Sequence, residues 1–418
     1  MSSSKRAITR LQTAIIAVVL VVVVVAAAVA YYYVTRPAPA PMPAPSIKIG
    51  LILPLTGASA RLGQEVLNGA QLAVEEINEK GVLGRKIELI IEDDEGNPDK
   101  CLSAAKKLIE ADKVDLLTGV LHSGNVVAIS EYVASVGIPY VSPISSGPTL
   151  VYMQDPKKFR NFFTLHPYYD DCGKLGLAFL TDVVKAKTFV VIRESLTWSL
   201  RSSDFLELFA ADRGIKCLDK ITVPAGCKDF SDAIMKAREL NPDALVFYVF
   251  TGAEVTLIKQ LHESHFPVPY CGVMALSAMW PLIDLVGEAS DYLCFGTWSW
   301  NTTITEKTVP FFNKFYQKYG YRACGLEGPA GYDLMYFVKA AIEKAGTLEW
   351  NAVIKALEEV EMIGVRGKYK IDPTDHGTIY WAPGYINGVI GQWKGGKPYV
   401  IWPSGMAEKK FEKAPWMK

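Results

Sequence analysis

From residue 47 onwards, the chain alternates between short apolar runs and longer segments in which apolar residues recur every three or four positions. The apolar runs, such as 188–192, predict strands that are buried on both faces. The periodic segments, such as 63–80, predict amphipathic helices. The predicted strands are 47–53, 86–92, 114–118, 138–142, 160–165, 187–193, 216–223, 243–249, 268–273 and 293–298. This alternation predicts an α/β fold of parallel sheets with helices on both faces.

The length of the chain indicates more than one folding unit. A chain of 418 residues exceeds what a single hydrophobic core usually holds. We expect two doubly wound lobes, each with about five or six of the predicted strands. The predicted helices are 63–80, 98–110, 125–136, 171–184, 199–213, 229–239, 252–264, 308–318 and 328–345. The start of the predicted helix 98–110 has a clear sequence signal, because Asn97 can cap the helix and Pro98 can be its first residue.

Residues 13–34 form an apolar segment without any charge. At about 1.5 Å per helical residue, this length spans a hydrocarbon layer of about 30 Å. Basic residues before it predict that the N-terminus lies inside the cell. We therefore expect a cytoplasmic tail (1–12), a transmembrane anchor (13–34) and a Pro/Ala-rich linker (35–46) in a single-pass protein of the cell membrane. A signal peptide cleaved after the small residues 28–30 is the alternative.

Charge and cysteine usage narrow the classes of function. The 44 Lys and Arg residues balance 44 Asp and Glu residues, which gives no indication of a nucleic-acid partner. The seven cysteines include no C-x-x-C pair and lie at no metal-ligand spacing with histidine, so we predict neither a metal site nor a cofactor. Cys271 with Cys294 and Cys217 with Cys227 are candidate disulfides, and buried free thiols are the alternative.

The first strand and the turn after it carry a motif. It reads Ile49-Gly50-x-x-x-Pro54-Leu55-Thr56-Gly57, with Gly69-Ala70 and Asp93-Asp94 downstream. In this order the residues resemble the type I periplasmic binding proteins, in particular the branched-chain amino-acid branch of the substrate-binding proteins of ABC transporters. The resemblance implies two lobes joined by a three-crossing hinge. It places lobe one at 47–166 and 297–372, and lobe two at 167–296 and 373–405.

The loop after the third predicted strand is a candidate anion site. Ser123 lies where the strand ends and the next helix begins, so a hydroxyl and free backbone N–H groups come together. The resemblance implies that Ser123, the main chain of Ile144 and Ser146 hold the carboxylate of a ligand. A plain helix N-cap is the alternative role for Ser123.

The resemblance also implies which residues line the rest of the cleft. These residues are Leu62 in lobe one and Trp198, Thr251 (or Phe250) and Met274 in lobe two. In amino-acid binders the position that matches Met274 is typically an acid that pairs with the ammonium group. An apolar amino acid would therefore need another acid, and the candidates are Glu194, Glu254 and Asp333. A related carboxylate with an apolar or aromatic body avoids this need and is the ligand class that Met274 favours.

The predicted function is that of a solute receptor outside the membrane, which captures a small polar or amino-acid-like ligand and delivers it to the permease and ATPase subunits of an ABC importer. We expect no enzymatic activity, because the sequence contains no G-x-S-x-G elbow, H-E-x-x-H helix or P-loop. The alternative function is the ectodomain of a small-molecule sensor that acts through a separate signalling partner.

Overall fold

The computed structural model describes residues 3–35, 44–249, 252–273 and 282–418. The chain divides into two units, Met1–Ala44 and Pro45–Lys418. The first unit contains helix α1 (Ser3–Thr35). Its segment Thr9–Thr35 has a mean hydropathy of 3.1 and is the one helix among the described residues that is long and apolar enough to cross a membrane. The predicted segment 13–34 lies inside this helix, which is compatible with an anchor and with a signal peptide.

The second unit begins with a parallel sheet of five strands. The strands are β1 (Ile47–Leu53), β2 (Ile87–Asp93), β3 (Leu116–Gly119), β4 (Tyr140–Ser142) and β5 (Phe162–Thr164). Their order is β2-β1-β3-β4-β5, so the direction of winding reverses between β1 and β3. In doubly wound folds, the crevice at the carboxyl ends of strands beside such a reversal is where ligands bind. We call this sheet and its helices lobe one.

Helices from distant parts of the chain cover the sheet of lobe one. They are α2 (Ala60–Lys80), α3 (Pro98–Lys106), α4 (Ser123–Val136), α5 (Gly147–Tyr152), α11 (Thr308–Tyr319), α12 (Glu327–Ala345) and α13 (Trp350–Glu359). A π-helical turn, Lys107–Ala111, extends α3. As predicted, Pro98 opens α3, and the side chain of Asn97 accepts hydrogen bonds from the N–H groups of Asp99 and Lys100.

Helices α2 and α12 approach each other unusually closely. A Cβ atom at Gly69 would lie 2.0 Å from the carbonyl oxygen of Gly328, and one at Gly331 would lie 2.0 Å from that of Val66. Only glycine fits at these crossings, because any side chain would collide with the backbone of the other helix. The glycines thus hold α2 and α12 at a fixed separation where the two helices cross.

The second sheet contains seven strands in the order β14-β13-β10-β9-β8-β6-β7. The strands are β6 (Thr188–Glu194), β7 (Lys216–Val223), β8 (Ala244–Tyr248), β9 (Tyr270–Val273), β10 (Cys294–Thr297), β13 (Val389–Lys394) and β14 (Lys397–Trp402). Strands β6 to β10 are parallel, and β13 joins the edge of β10 in the antiparallel sense. Its helices are α6 (Tyr169–Ala178, followed by a π-helical turn), α7 (Thr197–Asp212), α8 (Ser231–Glu239), α9 (Glu254–Glu263) and α10 (Leu282–Val286). We call this sheet and its helices lobe two.

A short hairpin, β11 (Glu361–Ile363) and β12 (Lys368–Lys370), precedes the segment that leads to β13. Around it, the segments between the lobes meet at Leu165. The Leu165 carbonyl accepts hydrogen bonds from Nη2 of Arg366 at 3.0 Å and from the hydroxyl of Tyr380 at 2.8 Å. Thr164 also forms a β-bridge with Gly377. The predicted crossings at 166 and 372 lie beside these contacts, and Trp298, next to the crossing at 297, contacts the ring of Tyr380. The lobe boundaries stay predictions.

The predicted disulfides are wrong, since all seven cysteines are free. Cys271 and Cys294 are register partners on the neighbouring strands β9 and β10, as their positions indicated, yet they do not bond. Cys217 and Cys227 are only partly buried and are also free. The alternative interpretation as free thiols is the one the structure confirms.

Candidate functional site

A cleft of about 410 Å³ lies at the carboxyl ends of the strands of lobe one and faces the loop after β6 of lobe two. The residues that line it are Ala58, Ser59, Glu95, Gly96, Pro98, Leu121, His122, Ser123, Gly124, Asn125, Ile144, Ser145, Ser146, His166, Ser195, Leu196, Thr197, Trp198, Leu326 and Glu327. Every lining segment follows a strand except Leu326 and Glu327, which begin α12. The cleft therefore occupies the position that a doubly wound fold offers to a ligand.

The start of α4 forms an anion-binding corner of the cleft. The carbonyl of His122 accepts from the N–H groups of Asn125 and Val126 at 3.0 and 3.2 Å. Ser123 and Gly124 are the first two residues of α4. Their N–H groups have no acceptor within the helix, as is usual for a first turn. Both residues line the cleft, so two backbone donors and the positive end of the helix dipole lie at its wall.

A serine chain holds the hydroxyl of Ser123 in place. The Oγ of Ser145 donates to Oγ of Ser123 at 3.2 Å and accepts from the N–H of Gly147 at 3.1 Å. The N–H of Ser145 in turn donates to Oγ of Ser142 at 3.0 Å. Because Ser123 accepts from Ser145, its own proton can be donated, either to the neighbouring hydroxyl of Tyr169 or to a ligand. Ser145 was not predicted as a site residue, although it belongs to the same loop as Ile144 and Ser146.

Ser146 is fully buried at the cleft wall, and its hydroxyl already has a partner. Its Oγ donates to the Pro167 carbonyl at 2.8 Å and lies 3.2 Å from Nδ1 of His166. Burial, followed by the charge of Arg366, lowers the pKa of His166 to about 3, so this ring is neutral. Since a hydroxyl has one proton, the side chain of Ser146 is not a free donor here. The carboxylate clamp with Ile144 and Ser146 stays a prediction, with both residues at the cleft wall.

The other predicted lining residues differ in position. Trp198, in the first turn of α7, lines the cleft from lobe two and lies 5.6 Å from the ring of Tyr248. Leu62 is 2% exposed and packs into the core of lobe one. It is not among the lining residues, because α2 begins at Ala60, earlier than predicted, and Ala58 and Ser59 form the wall there. Thr251, Phe250 and Met274 lie outside the described residues.

A pair of buried acids lies at the end of the cleft formed by α12. Glu327 lines the cleft, is 1% exposed and accepts a hydrogen bond from the thiol of Cys324, with Sγ and Oε2 2.6 Å apart. Glu65 on α2, also 1% exposed, accepts from the N–H of Cys324 at 3.2 Å. Burial and, second, the charge of Glu327 raise the pKa of Glu65 to about 8. Burial also raises the pKa of Glu327.

The acids that were predicted as ammonium partners have different surroundings. Glu194 is buried at the end of β6, beside the lining residue Ser195, and accepts from the N–H of Gly226 at 2.8 Å. Glu254 is buried at the start of α9. The interpretation of Asp333 is wrong, because it does not line the cleft and both its oxygens accept hydrogen bonds from within lobe one, among them the hydroxyl of Tyr369 at 2.6 Å.

His122 at the cleft wall has a pKa below its ordinary value. Burial lowers its pKa, although the charges of Asp94 and Glu194 act in the opposite direction. Among the described residues, no group of three or more His, Cys, Asp or Glu side chains is arranged to hold a metal ion. The polar groups of the cleft are therefore hydroxyls, backbone N–H groups, neutral imidazoles and carboxyls, which recognise a small polar solute by hydrogen bonds and charge.

Two doubly wound lobes with such a cleft between them define a solute-binding protein. The chain belongs to the periplasmic binding protein family, whose sequence profile matches residues 46–387. The Leu/Ile/Val-binding protein homolog 7 of Brucella abortus (strain 2308) is 26% identical over 385 residues, which cover 86% of this chain and 92% of that protein.

Solved structures show the same fold. The substrate-binding protein LivJ of Streptococcus pneumoniae, in complex with isoleucine, has a TM-score of 0.75 at 22% identity and covers 86% of this chain and 100% of its own. A solute-binding protein of an ABC transporter from R. palustris, in complex with benzoate, has a TM-score of 0.74 at 19% identity and covers 89% of this chain and 99% of its own. One architecture thus accommodates ligands with and without an ammonium group.

Proposed function

We propose that this protein captures a small carboxylate-bearing solute, either an apolar amino acid or a related carboxylate, and delivers it to the permease and ATPase subunits of an ABC importer. The observation that carries the proposal is the corner formed by the start of α4, where Ser123 and Gly124 present backbone N–H groups beside the Ser123 hydroxyl. A carboxylate is one of the anionic groups that such a corner binds. Isoleucine and benzoate, the ligands of the two solved relatives, share a carboxylate.

We propose that the solute is bound without chemical change. Catalysis needs a general base or nucleophile with a suitably placed partner. The two histidines of the cleft wall, His122 and His166, have lowered pKa values through burial, and His166 is engaged with Pro167 and Ser146. These roles fit a binding site, in line with the family.

We also propose that α1 stays on the mature protein as a single-pass anchor, with Pro45–Lys418 outside the membrane. The support is the apolar segment Thr9–Thr35 with basic residues before it. The intact mass of protein extracted from native membranes should include the first ten residues. A mature chain that starts at Tyr31 would show instead that the segment is a signal peptide.

Thermal unfolding of the full chain in detergent, with amino acids, carboxylates and small amides added singly, tests the binding proposal. A ligand at 100 times its dissociation constant should stabilise the folded state by about 2.7 kcal/mol. We expect this stabilisation from carboxylates and from no amide or ester of the same compound. Equal stabilisation by an amino acid and its amide would contradict the carboxylate corner.

A further inference from the structure

The acid pair formed by Glu65 and Glu327 is the feature of the cleft that the proposed function leaves unused. Glu327 lies in the first turn of α12 and lines the cleft, although it is 1% exposed. Oε1 of Glu65 is buried and has no hydrogen-bond partner among the described residues. The close crossing of α2 and α12 at Gly69 and Gly331 fixes both carboxyls on rigid helices. The site is therefore built, with one oxygen left unsatisfied.

Two cations, Arg61 and Arg366, act on this pair, and both act through their charge. Arg366 acts on Glu327 through its charge, but its N–H groups donate to Leu165 and Tyr369, and its charge is matched by Asp333. Arg61 acts on Glu65 only through its charge, as the last and weakest influence. The other titratable groups that face the pair are the thiol of Cys324 and the hydroxyl of Tyr321, which are neutral.

Buried carboxyls without a cation hold a proton. Removing a carboxylate from water is costly unless an opposite charge comes with it. Consistent with this, the pKa of Glu65 is raised to about 8, mainly by burial, so the pair keeps at least one proton at neutral pH. A proton in this position can be exchanged for a cationic group that enters the cleft with a ligand, because Glu327 already forms part of the wall.

We propose, on the basis of the proposed function, that Glu327 receives the ammonium group of a zwitterionic amino acid whose carboxylate lies at the start of α4. When the ligand binds, the O–H bond of the protonated carboxyl breaks, its proton passes to solvent, and the ammonium takes its place beside the carboxylate. No covalent bond to the ligand forms. Glu65 acts through Glu327, because the charges of the two carboxyls repel each other and favour a proton on the pair.

This assignment moves the ammonium partner to lobe one, away from the Met274 position where the resemblance placed an acid. The N-terminal turn of α12 also favours the ionised form of Glu327 through the helix dipole. The ligand class that follows is an apolar α-amino acid, and its des-amino analogue would leave the acid pair protonated and unpaired.

Calorimetry with wild-type protein and the Glu327→Gln variant tests this assignment. The probes are leucine and phenylalanine, and their des-amino counterparts 4-methylpentanoate and 3-phenylpropanoate. We expect Glu327→Gln to weaken amino-acid binding by about tenfold or more, since a hydrogen bond to a charge is lost. Binding of the des-amino acids should not weaken. Glu343→Gln is the matched control, because Glu343 lies at the other end of α12 in an exposed ion pair with Lys339.

Proton release gives a second readout that a structural role would not change. Titrations at pH 7 in buffers of different ionisation enthalpy should show release of up to about one proton when the amino acid binds, and none when the des-amino acid binds. Amino-acid affinity should fall as the pH is lowered, because binding releases a proton and a higher proton concentration opposes that release. Glu65→Gln should reduce both the proton release and this pH dependence.

The outcomes separate the two proposals. Wild-type affinity of Glu327→Gln for the amino acids, or equal wild-type affinity for amino and des-amino acids, would overturn the assignment and leave the proposed function intact. Binding of neither class would contradict both. If Glu327→Gln does not unfold cooperatively, Glu327→Asp is the second variant, because it keeps the charge. It should retain the selectivity for amino acids and the proton release. Loss of that selectivity in a folded Glu327→Asp variant would count against the assignment.

Discussion

The two walls of the cleft differ in their chemistry. Lobe one contributes loops after all five of its strands and the first turn of α12, and its key polar residues Ser123, Ser145 and Ser146 are at most 6% exposed. Lobe two contributes, among the described residues, the single segment from Ser195 to Trp198, which is partly or fully exposed. Lobe one therefore presents an organised polar surface, and lobe two presents an open surface that ends in an indole.

This difference indicates how recognition is divided. Donors that are already held by neighbours lose little entropy when a ligand arrives, so lobe one is suited to read the charged groups of a ligand. The half-buried Trp198 at the start of α7 is suited to cover an apolar body, because aromatic rings bury a large area with few rotatable bonds. Lobe one should determine which head group binds, and lobe two which side chain is accepted.

The largest expected effect is a loss of stability when the buried Arg366 is replaced. Arg366 is fully buried, and it donates to Tyr369 at 2.6 Å and to Leu165 at 3.0 Å beside its ion pair with Asp333. Arg366→Met leaves Asp333 buried without its cation, which should lower the free energy of unfolding by about 3–5 kcal/mol. Denaturant titration measures the loss.

The same substitution in lobe two serves as the control. Arg238 is exposed and donates to the carbonyl of Ser264, so Arg238→Met should change stability by about 0.5 kcal/mol or less. Adding Asp333→Leu to Arg366→Met should restore part of the lost stability, since no unpaired charge then remains. Similar losses in the free energy of unfolding for both arginine variants would show that the buried ion pair of Arg366 does not stabilise the protein more than the exposed Arg238 does.

The second prediction concerns the head group. Ser123→Ala removes a hydroxyl donor from the start of α4 and should cost about 1.5–3 kcal/mol of binding to a carboxylate, which is roughly a 10- to 150-fold loss of affinity. Ser135→Ala is the matched control on the same helix, because Ser135 is exposed and donates only to the carbonyl of Tyr132. Unchanged affinity of Ser123→Ala by calorimetry would mean that Ser123 is only a helix-start residue.

The sequence predicted the parts of this site that are local. Buried parallel strands are continuous apolar runs, so each of the ten predicted strands overlaps an observed one. The Ser123 loop was found because a strand end and a helix start are adjacent in the chain. The short helices α5 and α13 were missed, since α5 begins with Gly147-Pro148, which is typical of a turn, and α13 is capped by Glu349, an uncommon capping residue.

The acid pair had no local signal. Glu65 and Glu327 lie far apart in the sequence, and only the crossing of α2 with α12 brings them together. The signals in the sequence that bear on this crossing are the small residues at Gly69 and at Gly328 and Gly331, which allow two helices to touch. Long-range pairing of this kind is not contained in the periodicity of either segment, so the sequence offered Glu194, Glu254 and Asp333 as ammonium partners and neither acid of this pair.

The third prediction concerns the side chain of the ligand. Trp198→Ala should weaken binding of phenylalanine or leucine by about 1–2 kcal/mol, roughly 5- to 30-fold, because apolar area at the cleft wall is lost. Binding of alanine should change much less, since its side chain reaches little of the indole. A loss of equal size for alanine and phenylalanine would show that Trp198 supports the fold of the loop rather than side-chain recognition.

The smallest expected effect is a change of shape. If lobe one holds the head group and lobe two covers the body, ligand binding should draw the lobes together by rotation at the crossings near 166, 297 and 372. Leu165 is the point about which we expect the motion, because Arg366 and Tyr380 both donate to its carbonyl. Small-angle scattering of the full chain in matched-out detergent should show a smaller radius of gyration with saturating leucine than without it. Ser123→Ala at the same leucine concentration should remain partly open, and an unchanged profile for saturated wild-type protein would show that the cleft binds without closing.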